Sequence, residues 1–331
     1  MNAIYLSDKP DNIIRVYTEE TQARIASEYT VRDGIYRSAD LSTTDLRDTE
    51  VIFSTWGMPA LSDEEISAYF PRLRAVFYAA GSVQAFARPF IERGIRIFSA
   101  WQANALPVVE YAVAQILLAN KGFYQSTVRM RESGKKAASA FFKHYPGNYN
   151  AKVGILGDGA IGAKVIRELL RHRLTVLVFS ITMTKEEAAA LGVRLASLEE
   201  IFAECDVISN HLANNDETAG MISRPLLERV KPYTTFINTG RGRQVDESAL
   251  IDRLRDDPTF TAVLDVTYPE PPIEGSPLYT LPNVFLTPHI AGSAGNEVGR
   301  MGEYMQEEAH RFCLKKEPLY EVTAKMLETM A

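Results

Sequence analysis

Three segments of this 331-residue sequence place chemically capable side chains in glycine or proline settings just after apolar runs. Arg241 lies in Asn238-Thr239-Gly240-Arg241-Gly242-Arg243. Glu270 lies in Asp265-Val266-Thr267-Tyr268-Pro269-Glu270-Pro271, and His289 in Thr287-Pro288-His289. Ligands of open α/β sheets collect at the carboxyl ends of strands, which is where Arg241, Asp265 and His289 are expected. An arginine can hold a carboxylate with its planar fork and polarise a neighbouring carbonyl. A histidine can pass a proton to or from an alkoxide, and a nearby glutamate can orient the imidazole. With a nicotinamide alongside, these groups suit hydride transfer between a 2-oxo acid and a 2-hydroxy acid, the cofactor carrying the hydride. Taken singly, each has an ordinary reading: a surface ion pair for Arg241, a structural loop residue for His289, an exposed acid for Glu270.

A fourth segment says which cofactor would stand beside them. Gly157-Asp158-Gly159-Ala160-Ile161-Gly162 follows an apolar strand pattern and opens a helical one, the G-x-G-x-x-G arrangement of a dinucleotide turn. There the first glycine permits the tight turn and the second lets backbone approach a pyrophosphate. The third allows close helix packing, and the helix N-terminus supplies N–H groups and partial positive charge. The next apolar strand ends at Ser180, 18 residues after Gly162, where an acid usually meets the adenosine ribose of NAD about 20 residues on. Serine can hydrogen-bond a ribose but does not repel a 2′-phosphate, and residues 181–185 hold a lysine and no arginine to welcome one. NAD is expected, with NADP possible. The alternative for Ser180 is a cap on the following turn.

The elements that must position these groups alternate along the chain. Strand patterns cover residues 3–7, 51–55, 73–79, 95–98, 152–156, 175–179, 207–210, 234–238, 261–264 and 284–286. Helical patterns between them include 18–28, 63–70, 161–171, 246–255 and 296–314. Such alternation predicts parallel sheets covered by helices, in an α/β chain of about two domains. The longest helical pattern is predicted over 107–130 with Pro107 in its first turn. Residues 131–150, with Gly134, Pro146 and Gly147, read as loop or linker. Glu199 and Glu200 read as solvated helix surface.

Composition narrows the partners. The chain is 46% hydrophobic and 24% charged, with a net charge of −6, which disfavours a general nucleic-acid binder. Residues 105–119 are too short and too polar to span a bilayer, and residues 1–10 do not read as a signal peptide. Two cysteines make neither a disulfide framework nor a cysteine-rich metal site, and Cys205 reads as a small buried hydrophobe. The expectation is a cytoplasmic protein with no membrane, nucleic-acid or metal partner.

Together the motifs resemble the D-isomer-specific 2-hydroxyacid dehydrogenase family over nearly the whole chain. The resemblance places the family's substrate-binding arginine on Arg241 rather than Arg243, its glutamate on Glu270 and its general acid/base on His289. It implies that Asp265 meets the nicotinamide carboxamide. Gly157, Gly159, Ala160, Ile161, Gly162, Ser180, His211, Thr239, His289 and Gly292 would border the coenzyme. Ala80 and Gly81 resemble the loop whose backbone holds the substrate carboxylate, and Trp56 would line the side-chain pocket or else belong to the core. Asn104 and Glu110 match polar residues at the start of the family's hinge helix. The implied architecture is two doubly wound parallel-sheet domains, with a Rossmann coenzyme domain (104–293) inserted into a flavodoxin-like substrate domain (1–103 and 294–331). Helices from Pro107 and Asn296 would make the crossings. A small 2-oxo or 2-hydroxy acid substrate and a homodimer through the coenzyme domain are implied as well.

The sequence departs from the family pattern at several points. Ser180 replaces an acid, Gly240 an alanine or serine, and Ala213 the proline after His211. Ser82-Val83-Gln84 follows the glycine loop in place of the usual aspartate and asparagine. Two other readings stand beside the dehydrogenase. One is a dinucleotide-sensing binding protein like the corepressors that share the fold. The other is a formate dehydrogenase, against which Glu270 argues, since those enzymes resemble a glutamine version.

Overall fold

The computed structural model describes residues 1–328. The chain begins with β1 (Asn2–Leu6), α1 (Pro10–Val16), α2 (Glu19–Glu28), β2 (Thr30–Tyr36), β3 (Val51–Ser54), α3 (Asp63–Tyr69), β4 (Ala75–Tyr78), α4 (Ala87–Glu92) and β5 (Arg96–Ser99). Two long helices follow, α5 (Trp101–Asn120) and α6 (Phe123–Phe142). Then come β6 (Tyr149–Leu156), α7 (Gly162–Leu169), β7 (Arg173–Phe179), α8 (Lys185–Leu191), β8 (Arg194–Leu195), α9 (Leu198–Glu204) and β9 (Val207–Asn210). The chain continues through α10 (Arg224–Leu227), β10 (Thr235–Asn238), α11 (Glu247–Asp256), β11 (Thr261–Leu264), β12 (Val284–Leu286), α12 (Glu297–Cys313) and β13 (Glu321–Val322). It divides into two compact units, Met1–Leu106 with Ser293–Ala331, and Pro107–Gly292. The first boundary falls inside α5, the second in the loop ahead of α12.

In the first unit the strand order is β13-β5-β4-β3-β1-β2, parallel except for β13 against β5. Apart from that antiparallel edge this is the flavodoxin-like order. Successive strand residues face opposite sides, and both sides are covered. Ile4, Leu6, Ile52, Val76 and Ile97 join one core, while Tyr5, Phe53, Phe77 and Phe98 join the other with Val298, Met301 and Met305 of α12. Burial on both faces is why these strands read as continuous apolar runs. β2 is the exception: most of its residues are exposed, its sequence carries Arg32, Asp33 and Gly34, and it lies at the sheet edge.

In the second unit the order is β12-β11-β10-β9-β6-β7-β8, all parallel. The strand sequence reverses direction between β6 and β9. This is the doubly wound dinucleotide-binding order with one further strand, and its switch point lies at the end of β6. Helix starts follow local chemistry: Thr184 and Ser197 close capping boxes with Glu187 and Glu200, and Asp246 caps α11. Glu199 and Glu200 are exposed helix surface. Cys205 lies fully buried in the core with Ile201 and Phe202.

The expected helix over 107–130 and loop over 131–150 are corrected. α5 begins at Trp101, so Pro107 lies in its interior and one intrahelical hydrogen bond is lost there. The break comes instead at Gly122, which adopts φ 65° and where a Cβ would collide with the ring of Tyr145. α6 then runs to Phe142 through the first part of the stretch read as loop, bending at Gly134 (φ 75°, ψ −179°), and residues 143–148 alone are loop before β6. Phe141 packs against Tyr145 and Tyr233, and Arg129 stacks over Phe141. These tertiary contacts override the local signal of Gly134. Among the described residues no helix is long and apolar enough to cross a membrane.

Candidate active site

The glycine turn leaves β6 at the switch point. Gly157 takes φ 92° and donates its N–H to Phe179 O at 2.9 Å. A Cβ there would lie 2.8 Å from His211 O, and a Cβ on Gly162 would collide with Gly157 O, so both positions need glycine. A Cβ on Gly159 would stand in open space, and no side chain caps α7 at Ile161. Exposed Gly159 and Ala160 and the start of α7 thus form an unobstructed cradle at a helix N-terminus, which suits a diphosphate. Beneath it lies His211, its Nε2 2.9 Å from Ser209 Oγ. Burial pushes this imidazole down to about 4, so it is neutral near pH 7.

Ser180, read as a ribose ligand or else a turn cap, makes the bonds of a cap. Its hydroxyl donates to Asp158 Oδ1 at 2.7 Å and accepts the N–H groups of Thr182 and Met183 at 3.0 and 2.8 Å. One donor and two lone pairs are all a hydroxyl has. Ser180 caps the turn after β7, and the polar group it presents at this edge is the Asp158 carboxylate.

Arg241 follows β10 on a turn held by buried amides. Asn210 Nδ2 donates to Asn238 Oδ1 at 2.9 Å and to Gln244 Oε1 at 2.6 Å. Gln244 Oε1 also accepts the Arg241 N–H at 3.1 Å, while its Nε2 donates to Leu212 O and Ala213 O. A Cβ on Gly240 would come 2.7 Å from Gln244 Oε1 and 2.9 Å from Asn210 Nδ2, which accounts for glycine at this position. The Arg241 guanidinium is half-buried and donates from Nη1 to Gly240 O at 2.8 Å. Desolvation pulls it below its ordinary value, and the nearby Glu270 carboxylate opposes the shift. Arg243 points elsewhere: it is exposed and pairs with Asp216 at 2.8 Å.

His289 Nδ1 lies 2.7 Å from Glu270 Oε1. The loop that presents the imidazole is built by Asp265, itself buried. Its Oδ1 accepts Thr287 Oγ1 at 2.6 Å and the Ile290 N–H at 2.8 Å, and its Oδ2 accepts the Ala291 N–H at 2.9 Å, one residue before Gly292. Asp265 O also accepts the His289 N–H, holding His289 at φ 55°. Three of about four acceptor positions of this carboxylate are therefore committed to the loop. Thr239, after β10, is buried with Oγ1 unpartnered. An orphaned hydroxyl at a strand's carboxyl end calls for a ligand or water.

In the first unit, Ser99 Oγ bonds the carbonyl oxygens of Ala80 and Gly81. Ala80 is fully buried, and its N–H donates to Tyr78 O at 2.9 Å. Gly81 stays partly exposed, with Asn104 Nδ2 3.2 Å from where its Cβ would be. Asn104 Oδ1 accepts the Ser293 N–H at 3.0 Å, a structural role. Trp56 is half-buried and packs against both cores of this unit.

Residues 113–291 match the model of the D-isomer specific 2-hydroxyacid dehydrogenase, NAD binding domain. The chain belongs to the D-isomer-specific 2-hydroxyacid dehydrogenase family. It is 30% identical to a glyoxylate reductase of Korarchaeum cryptofilum over 248 residues, 74% of each chain. It is 32% identical over 248 residues to a D-3-phosphoglycerate dehydrogenase of Mycobacterium tuberculosis, covering 74% of this chain and 46% of that one. The chain thus spans about half the length of the D-3-phosphoglycerate dehydrogenases it matches. The fold is shared with a phosphoglycerate oxidoreductase of Rhizobium etli (TM-score 0.79, 20% identity, 98% of this chain and 99% of that one). It is shared as well with an acyclic imino acid reductase solved with NADPH (TM-score 0.73, 20% identity, 97% of this chain and all of that one).

The matched family model is that of an NAD binding domain, and the residues present fit such a cofactor: an unobstructed glycine cradle and an orphaned Thr239 hydroxyl at the same sheet edge. Sequence reasoning missed Asn210 and Gln244, the amides that hold the Arg241 turn. The available signal was Gly240 itself, a residue smaller than the family's usual one, which marks a place where something else needs the room. It also missed Tyr111, whose OH lies 3.0 Å from Thr287 Oγ1.

Proposed function

We propose that this chain is an NAD(P)-dependent D-2-hydroxyacid dehydrogenase acting on a small 2-oxo or 2-hydroxy acid. The observation that carries the reading is the hydrogen bond between His289 Nδ1 and Glu270 Oε1, with Arg241 close enough to feel the same carboxylate. The bound nicotinamide supplies or takes the hydride. Arg241 binds the substrate carboxylate and polarises the 2-oxo group. Glu270, anchored on Nδ1, leaves Nε2 of His289 free toward the reacting oxygen. In reduction His289 donates its Nε2 proton to the forming alkoxide; in oxidation the neutral ring accepts that proton. Asp265 positions the His289 loop, and Gln244 positions Arg241. Exposed Leu118, Phe123, Met130 and Phe142 on α5 and α6 support a homodimer through this unit. Free Cys205 and Cys313 support a place in the cytoplasm.

The test is a panel of 2-oxo acids, from glyoxylate and pyruvate to phenylpyruvate and hydroxypyruvate, followed by loss of reduced nicotinamide with NADH and with NADPH. Turnover of at least one 2-oxo acid is expected. Tight NADH binding without turnover of any would make the chain a dinucleotide sensor, and formate-dependent reduction of NAD would make it a formate dehydrogenase.

A further inference from the structure

We infer that Asp158, inside the glycine turn, takes over the role of the acid missing from the end of β7 and makes the site select NAD(H) over NADP(H). This inference rests on the coenzyme-dependent reading above and asks which coenzyme the site prefers. Leu156 pairs with Phe179 across β6 and β7, and Gly157 donates to Phe179 O, so Asp158 and Ser180 emerge side by side at the sheet edge. An acid at position 180 would put a second carboxylate against Asp158. Serine instead donates to Asp158 Oδ1 at 2.7 Å and is itself clamped by the N–H groups of Thr182 and Met183. Thr182 Oγ1 adds contacts of 3.3 Å to both carboxylate oxygens. The carboxylate is half-buried, and among the described residues no cation pairs with it.

A carboxylate held this way keeps lone pairs on Oδ2 for a ribose hydroxyl. The same carboxylate meets a 2′-phosphate as like charge against like, a repulsive element that discriminates without any new attraction. No arginine stands in residues 181–185 to offset it, and Lys185 is exposed at the start of α8.

The experiment is fluorescence titration of NADH and NADPH against wild type, Asp158→Asn and Ser180→Ala. Asp158→Asn keeps an acceptor for Ser180 and removes the charge; Asp158→Ser serves if the first variant does not fold. Wild type should bind NADH more tightly. In Asp158→Asn the affinity for NADPH should rise, moving the ratio of the two dissociation constants by about tenfold or more. Ser180→Ala, which removes the clamp but keeps the charge, should move the ratio the same way by less. A ratio in Asp158→Asn within about twofold of wild type, or a wild type that already prefers NADPH, overturns the inference while leaving the dehydrogenase reading intact. Failure of the wild type to bind either coenzyme overturns both.

Discussion

Arg241 and Arg243 differ by two positions in sequence and by their whole environment in space, so paired substitutions test the site directly. The Arg241 guanidinium is half-buried beside Glu270 and spends one nitrogen on Gly240 O, leaving the rest of its fork for a ligand. A carboxylate gripped by two charge-assisted hydrogen bonds gains roughly 1.5–3 kcal/mol from each. Losing both in Arg241→Ala should cost about 3–6 kcal/mol, a fall of about 10²–10⁴ in kcat/KM at about 1.4 kcal/mol per decade. Arg241→Lys keeps charge without the fork and should fall between, through KM and kcat together. Arg243, about half exposed, pairs with an Asp216 that is 93% exposed. A surface pair of this kind contributes about 0–1 kcal/mol, so Arg243→Ala should stay within about fivefold of wild type. The assay is kcat/KM with the best 2-oxo acid, alongside NADH titration and a thermal midpoint to show that coenzyme binding and fold are intact. Greater sensitivity at Arg243, or a loss under about tenfold in Arg241→Ala, would refute the placement of the substrate carboxylate.

Gln244→Ala removes four hydrogen bonds around the Arg241 turn, two buried and two partly buried, and should destabilise the fold by about 2–4 kcal/mol in urea titration. It should raise KM for the oxo acid while NADH affinity holds, and an unchanged KM would remove Gln244 from the positioning of Arg241. Buried His211 refuses a proton that the unfolded chain accepts, because its folded value of about 4 lies below the ordinary 6.5. Its stabilising contribution is complete above about pH 6.5 and is lost as pH falls toward 4, about 3 kcal/mol in all. Urea midpoints at about pH 7.5 and 5 should converge in His211→Asn relative to wild type, and parallel pH slopes for the two proteins would contradict the assignment.

What could be read from the chain alone was whatever short-range chemistry decides. Strands buried on both faces appear as unbroken apolar runs, and Val207–Asn210, Thr261–Leu264 and Val284–Leu286 match their sequence reading residue for residue. The glycine turn was legible because backbone sterics require glycine at Gly157 and Gly162, and the meeting of Glu270 with His289 was legible from their residue types and strand-end settings. Edge strand β2 was not, because an exposed strand carries charged residues and lacks the alternation that would mark it. Helix α6 hid behind Gly134 because its ring contacts come from Tyr145 and Tyr233, the latter almost a hundred residues away. The use made of Ser180, Gly240 and Ala80 was likewise decided by folding. Ser180 meets Asp158 across 22 positions and Gly240 makes room for an amide from Asn210, while Ala80 gives its N–H to a neighbour in its own turn. A side chain's type limits which bonds it can make. Which partner takes those bonds depends on the strands that bring distant residues to one sheet edge, and that is settled only in three dimensions.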